Sequence, residues 1–368
     1  MTQENDTILE LCKFLHPDPA KLEEQMAAPL DYPYILGQLL FHRMGAVGYA
    51  TLKHCGLLGR VNREFRNTLK TIYDSGVEKT DSFLQALEGT RGIWDAADFP
   101  YALLKGAYLA GLYPVGLRTS NDIDVLIQPE DITALSGLLK DAGFRQGHIR
   151  NGVFTPATRT EIISSRMNRG EATPFIKRVD LPGMEYLELD VNFSLDFKPE
   201  KKDGVVEALL KDSRRNLFGS LYTLSLPDFF LHLCAHLFKE ATVMSWVEMG
   251  RDLSLYKFCD LYLLIDRFLE ESLGREIQRR AESLGLRKEC YYALLHTRRL
   301  FGIKNRELDR LIAAIQPDDL RFLKQIVDPA GGTLYAYDME FTEWIFCSKR
   351  REHLHEDQDE QRNSESMG

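Results

Sequence analysis

An acid-and-apolar alternation near the middle of the chain constrains the fold more than any other feature. It lies in Leu117-Arg-Thr-Ser-Asn-Asp-Ile-Asp-Val-Leu-Ile-Gln-Pro129, where Asp122 and Asp124 alternate with Ile123 and Val125 and the run closes in Val-Leu-Ile. A period of two is that of a β-strand, whose successive side chains point to opposite faces. Asp122 and Asp124 then project side by side, and Ile123, Val125 and Ile127 point into a core. Two carboxylates held this close repel unless a cation sits between them. Hard oxygen ligands on one rigid strand suit Mg²⁺, which binds through one or two carboxylates plus substrate phosphates. The alternative is a strand edge whose acids are solvated.

Two neighbouring segments bear on that choice. Upstream, Tyr101-Ala-Leu-Leu-Lys-Gly-Ala-Tyr-Leu-Ala-Gly-Leu-Tyr113 gives a short apolar run up to Leu104, then Lys105-Gly106, then helical character. A strand that turns into a helix at Lys-Gly suits a phosphate: Gly106 permits close backbone approach and the helix start offers free N–H groups. Lys105 adds a charge, and Arg118 adds a planar fork for phosphate oxygens. Taken singly, these are also a buried strand, a solvated Lys and a surface Arg. Downstream, Met184-Glu-Tyr-Leu-Glu-Leu-Asp-Val-Asn-Phe-Ser-Leu195 alternates again, with Glu188, Asp190 and Asn192 on one face and Leu187, Leu189, Val191 and Phe193 on the other. Uncompensated buried acids are costly. Pairing this strand beside the first would bring three carboxylates to one metal site; an edge strand with a solvated face is the other reading.

Lys105-Gly106, Arg118 with Asp122-Ile-Asp124, and a late strand Asp190 together resemble the polymerase-beta-type nucleotidyltransferase superfamily. The closest similarity is to a branch of bacterial nucleotidyltransferases whose core runs Leu-Lys-Gly … Arg … Asp-hydrophobic-Asp. Pro129-Glu130-Asp131, opening a helix through Leu135, Leu138 and Leu139 to Gly143-Phe144, fits that branch. The resemblance covers about residues 95–225. It implies an α+β fold, with a mixed β-sheet core flanked by N- and C-terminal helical regions. It also implies transfer of a nucleoside monophosphate from an NTP, ATP being expected, to an acceptor hydroxyl, with pyrophosphate leaving. Asp122, Asp124 and Asp190 would be the catalytic residues and the ligands of Mg²⁺ or Mn²⁺, with Glu188 the fallback for Asp190. Lys105, Gly106, Arg118, Ser120, Asn121, His236 and Lys239 would bind nucleotide and phosphate. Most of the superfamily has Gly-Ser at the first turn; here Lys105-Gly106-Ala107 has no hydroxyl, and Lys105 is the substitute.

The rest of the chain narrows the partners. Its 368 residues suffice for two or three domains. The formal net charge is −9, whereas a protein that grips long nucleic acid shows a basic face. A small-molecule or peptide acceptor is therefore expected, with a protein or tRNA acceptor, as in toxin-like relatives, or a non-catalytic nucleotide-binding role as alternatives. Arg145, Arg150, Arg159, Arg166, Arg169, Lys177 and Arg178 crowd the interval between the acid strands; they line either a phosphate-rich or acidic cleft or a solvated hairpin face. The six cysteines form no Cys-x-x-Cys pair, so no zinc or disulfide framework is expected. His232 and His236 share a helix face and with Glu240 offer a weak zinc alternative. The polar N-terminus is no signal peptide, and no apolar run spans a bilayer, so a cytoplasmic protein is expected. Four segments are expected: helical 1–95, the mixed core 96–225, helical 226–350, and a charged, Ser-rich, disordered tail 351–368.

Overall fold

A computed structural model describes residues 1–168, 170–194, 204–215 and 221–357. They form two compact units, one of residues 67–232 and one of residues 1–66 with 233–368. The fold is α+β. Among the described residues no helix is long and apolar enough to cross a membrane.

The 67–232 unit is built on an eight-stranded mixed sheet. Its strands are β1 (Tyr101–Leu103), β2 (Asp122–Ile127), β3 (Arg145–Arg150), β4 (Val153–Pro156), β5 (Phe175–Leu181), β6 (Met184–Asn192), β7 (Arg214–Arg215) and β8 (Tyr222–Thr223). Their order is β4-β3-β5-β6-β2-β1-β8-β7. The two acid-bearing strands, β2 and β6, are central neighbours and run parallel, with Asp122 opposite Glu188 and Asp124 opposite Asp190. β1 flanks β2 antiparallel, and β5 flanks β6 antiparallel.

One face of this sheet is the hydrophobic core. Ile123, Val125 and Ile127 of β2 and Leu187, Leu189 and Val191 of β6 are buried there with Leu135 and Leu139 of the helix Ile132–Asp141. Phe83 and Leu87 join the same core. They belong to the 26-residue helix Arg63–Glu88, which explains why this unit starts upstream of the expected cut at 95. The alternation at β2 and β6 thus has a physical cause: each strand gives one row of side chains to the core and one to the opposite face.

The other unit is mainly helical, including Gln3–Leu11, Tyr32–Phe41, Leu255–Phe268 and Arg287–Phe301. The expectation of helix up to residue 350 is corrected by a three-stranded sheet of β9 (Gln325–Asp328), β10 (Thr333–Ala336) and β11 (His355–Glu356). The tail expected to be disordered from Arg351 is ordered as far as Asp357; residues 358–368 lie outside the described residues. Charge alone misleads here, because Arg350 is buried in a two-pronged ion pair. Its Nε donates to Asp252 Oδ2 at 2.7 Å and its Nη2 to Oδ1 at 2.6 Å, while Nη1 donates to the Cys347 carbonyl at 2.6 Å. A buried charge is tolerable when paired and hydrogen-bonded in this way.

Candidate active site

The face of the sheet opposite the core carries the acids. Asp122 opens β2 half-buried, and Asp124, two residues on, is buried. On β6, Glu188, Asp190 and Asn192 share this face and are half-buried, and their apolar neighbours are buried behind them. The parallel register sets Asp190 directly across from Asp124 and Glu188 across from Asp122. Adjacent strands stand roughly 4.8 Å apart, so the four carboxylates crowd one small area. Glu188 lies one row nearer the start of β2 than Asp190.

Lys105 follows β1 on the other flank of β2. Its Nζ donates to Asp124 Oδ1 at 2.9 Å. Its backbone has φ 38° and ψ −112°, a region that side chains avoid and that costs of order 1–3 kcal/mol. Gly106 follows because there is no room for a side chain: a Cβ there would stand 2.5 Å from Ser120 Oγ. Ser120 in turn donates from its hydroxyl to Asp122 Oδ1 at 2.6 Å. Asn121 contributes its backbone, whose carbonyl accepts from the Glu188 N–H at 3.2 Å. Arg118 precedes them, half-buried, and donates from Nη1 to the Thr119 carbonyl at 2.8 Å. Lys105, Gly106, Ser120 and Asn121 are therefore gathered around the acid pair. One part of the phosphate expectation is revised: the helix Gly106–Leu109 has only four residues, so the cation there is the Lys105 ammonium rather than a helix dipole.

The electrostatics of this face are dominated by the acids and Lys105. Burial pushes the Asp190 carboxyl well above the usual carboxylate range, and Asp124, Glu188 and Asp122 push it further, while Lys105 opposes them. Burial, then Asp122 and Asp124, raise Glu188 as well. Burial would by itself lower the Lys105 pKa; the negative field of Asp124, Asp122 and Asp190 outweighs it and raises it. Four carboxylates around a single ammonium leave a negative excess that only further cations or protons relieve. The donor set, all hard oxygen, fits Mg²⁺ or Mn²⁺. Among the described residues, no group of three or more His, Cys, Asp or Glu side chains is placed to hold a metal ion; Lys105 occupies Asp124 and Ser120 occupies Asp122.

His236 and Lys239 belong to the unit that does not carry the acid strands. They lie on the stretch of the helix Leu226–Thr242 that belongs to the other unit. There, His236 Nε2 lies 3.2 Å from Glu240 Oε1, and Glu240 also pairs with Lys257. No third metal ligand joins them among the described residues. Two members of the basic run between the acid strands are in surface pairs: Arg178 pairs with Asp180 and Glu185, and Arg150 lies 3.8 Å from Glu161. Arg169 lies outside the described residues. Arg145 differs, with its guanidinium over the Phe154 ring at 4.5 Å.

A strand with two carboxylates, a parallel partner with a third, and a Lys-Gly turn beside them thus share one face of the sheet. Residues 29–302 match a family described as uncharacterised nucleotidyltransferase, and the protein belongs to that family. No curated protein and no solved structure matches it.

Proposed function

We propose that the protein moves a nucleoside monophosphate from an NTP, with ATP the expected donor, to a hydroxyl of a small-molecule or peptide acceptor. The observation that carries the proposal is the register that sets Asp190 across from Asp124, with Asp122 two residues away and Lys105 on Asp124. The acceptor oxygen forms a bond to the α-phosphorus, the bond to the bridging oxygen of the β-phosphate breaks, and pyrophosphate leaves with that electron pair. The hydroxyl proton passes to the Asp190 carboxylate, which lies across from Asp124 on the neighbouring strand. Lys105 neutralises phosphate charge, and Arg118 is placed to add a two-pronged grip. Mg²⁺ or Mn²⁺, held by Asp122, Asp124 and Asp190, would supply charge neutralisation at the phosphates and at the acceptor oxygen.

A tRNA acceptor is disfavoured by the net charge of −9. A purely nucleotide-binding role is disfavoured by the intact acids. The test is transfer of labelled nucleotide from each of the four triphosphates with Mg²⁺ or Mn²⁺. Asp122→Asn and Asp124→Asn should lose at least about a hundredfold in rate with unchanged circular dichroism. Retained turnover in either variant would overturn the mechanism.

A further inference from the structure

One row of directly opposed residues crosses four strands of the sheet: Asp122 on β2, Glu188 on β6, Ile176 on β5 and Arg145 on β3. Directly opposed residues share a face, so Arg145 stands on the acid face, two strands beyond Glu188. At roughly 4.8 Å per strand, that separation is about 10 Å. Ile176 between them is apolar and buried.

Arg145 is held in place. Its guanidinium stacks over the Phe154 ring. Phe154 lies close against Gly147, where a Cβ would stand 2.6 Å from the ring. Arg145 itself is exposed and makes no ion pair among the described residues. A stacked, pre-oriented and unneutralised guanidinium is a two-pronged anion receptor. It is also on the correct side. Lys105 follows β1 and Arg145 is on β3, so the two cations flank the acids from opposite edges of the row. If the triphosphate lies against Lys105, Arg145 faces the acceptor.

We propose that Arg145, stacked on Phe154, anchors an anionic group of the acceptor, a phosphate or a carboxylate, about 10 Å from the hydroxyl that receives the nucleotide. This rests on the nucleotidyl-transfer reading and narrows its acceptor class. The anchor acts through position: it fixes the far end of the acceptor so that the hydroxyl meets the acids.

The test uses the full chain with ATP and Mg²⁺ and three acceptors of one length, 1,8-octanediol, 8-hydroxyoctyl phosphate and 8-hydroxyoctanoate. Pyrophosphate release should show kcat/KM at least about tenfold higher for an anionic member than for the diol. The two anions separate phosphate from carboxylate. In Arg145→Ala this ratio should collapse toward one through the acceptor KM, with the KM for ATP holding, and Arg145→Lys should keep part of it. Equal use of all three by the wild type, or a ratio that survives in Arg145→Ala, would overturn the anchor. Binding separates this from failure of the transfer reading. If no acceptor gives pyrophosphate, the thermal shift produced by 8-hydroxyoctyl phosphate decides. A shift kept in Asp122→Asn and lost in Arg145→Ala supports the anchor, and a shift absent from the wild type or kept in Arg145→Ala overturns it.

Discussion

Lys105 joins two opposing effects at one residue. Its backbone sits at φ 38°, where a β-carbon is strained, while its ammonium holds Asp124. Replacing it removes the charge in any case, so two variants separate the effects. Lys105→Gly should be more stable than Lys105→Ala by about 1 kcal/mol, because glycine relieves the strain. Both should raise the KM for NTP. Equal denaturation midpoints for the two would remove the strain argument. Asp190 carries the opposite kind of cost. Its folded pKa lies well above the unfolded value, so between those two values the native state holds a proton that the unfolded state has released. Stability therefore falls as pH rises through that window, and above it the full cost of a buried charge among acids is present. In the metal-free protein, Asp190→Asn should melt higher than wild type near pH 8. The advantage should shrink as pH falls and vanish near the unfolded carboxylate value of about 4. Melts in chelator from pH 4 to 8 check this, and an advantage that grows on acidification would contradict it. Asp122, Asp124, Asp190 and Lys105 were legible because local alternation and a Lys-Gly turn mark them. Ser120 on Asp122, and Glu188 rather than another residue opposite Asp122, depend on close approaches and register that one strand alone does not specify.

At the scale of elements, the strands themselves were readable and their partners were not. β2 and β6 each declare a buried and a polar face, yet their parallel pairing joins segments about sixty residues apart. Only that pairing turns three separate acids into one cluster. The same applies to Arg145, one of eight Lys and Arg residues between Asp124 and Asp190, which the β3–β5 register alone places in line with the acids. The hairpin of β3 and β4 depends on Gly147. A Cβ there would stand 2.3 Å from the Thr155 carbonyl oxygen and 2.6 Å from the Phe154 ring. Gly147→Ala should therefore destabilise by about 1–3 kcal/mol as the hairpin splays. It should also lower the preference for anionic acceptors, since Phe154 no longer seats Arg145. A lowered urea midpoint together with a reduced anion preference is the expected pair of results. An unchanged midpoint would show that the hairpin yields freely.

For the molecule as a whole, composition is a poor guide to order. The chain from Arg351, expected to be disordered, is ordered as far as Asp357, just after Arg350, which is drawn inside by Asp252, and β9 and β10 form where a helical pattern was expected. Long-range charge pairing of that kind leaves no periodic trace in the sequence. Net charge is different, because its effect acts at a distance and does not depend on topology. At −9, the chain repels a polyanion until salt screens it, over about 10 Å at 0.1 M. An acceptor that binds through one anion at Arg145 loses a single contact's worth of affinity as salt rises. A nucleic acid held through many phosphates loses about a thousandfold or more between 50 and 200 mM. The acceptor KM should accordingly rise by less than about tenfold over that range at constant Mg²⁺. The kcat/KM for NTP should stay level or rise, because screening weakens the repulsion that slows encounter. A thousandfold loss of acceptor affinity would instead assign a nucleic-acid acceptor. A steep fall in kcat/KM for NTP would mean that the local field at Lys105 and Arg118, and not the net charge, governs the approach of the nucleotide.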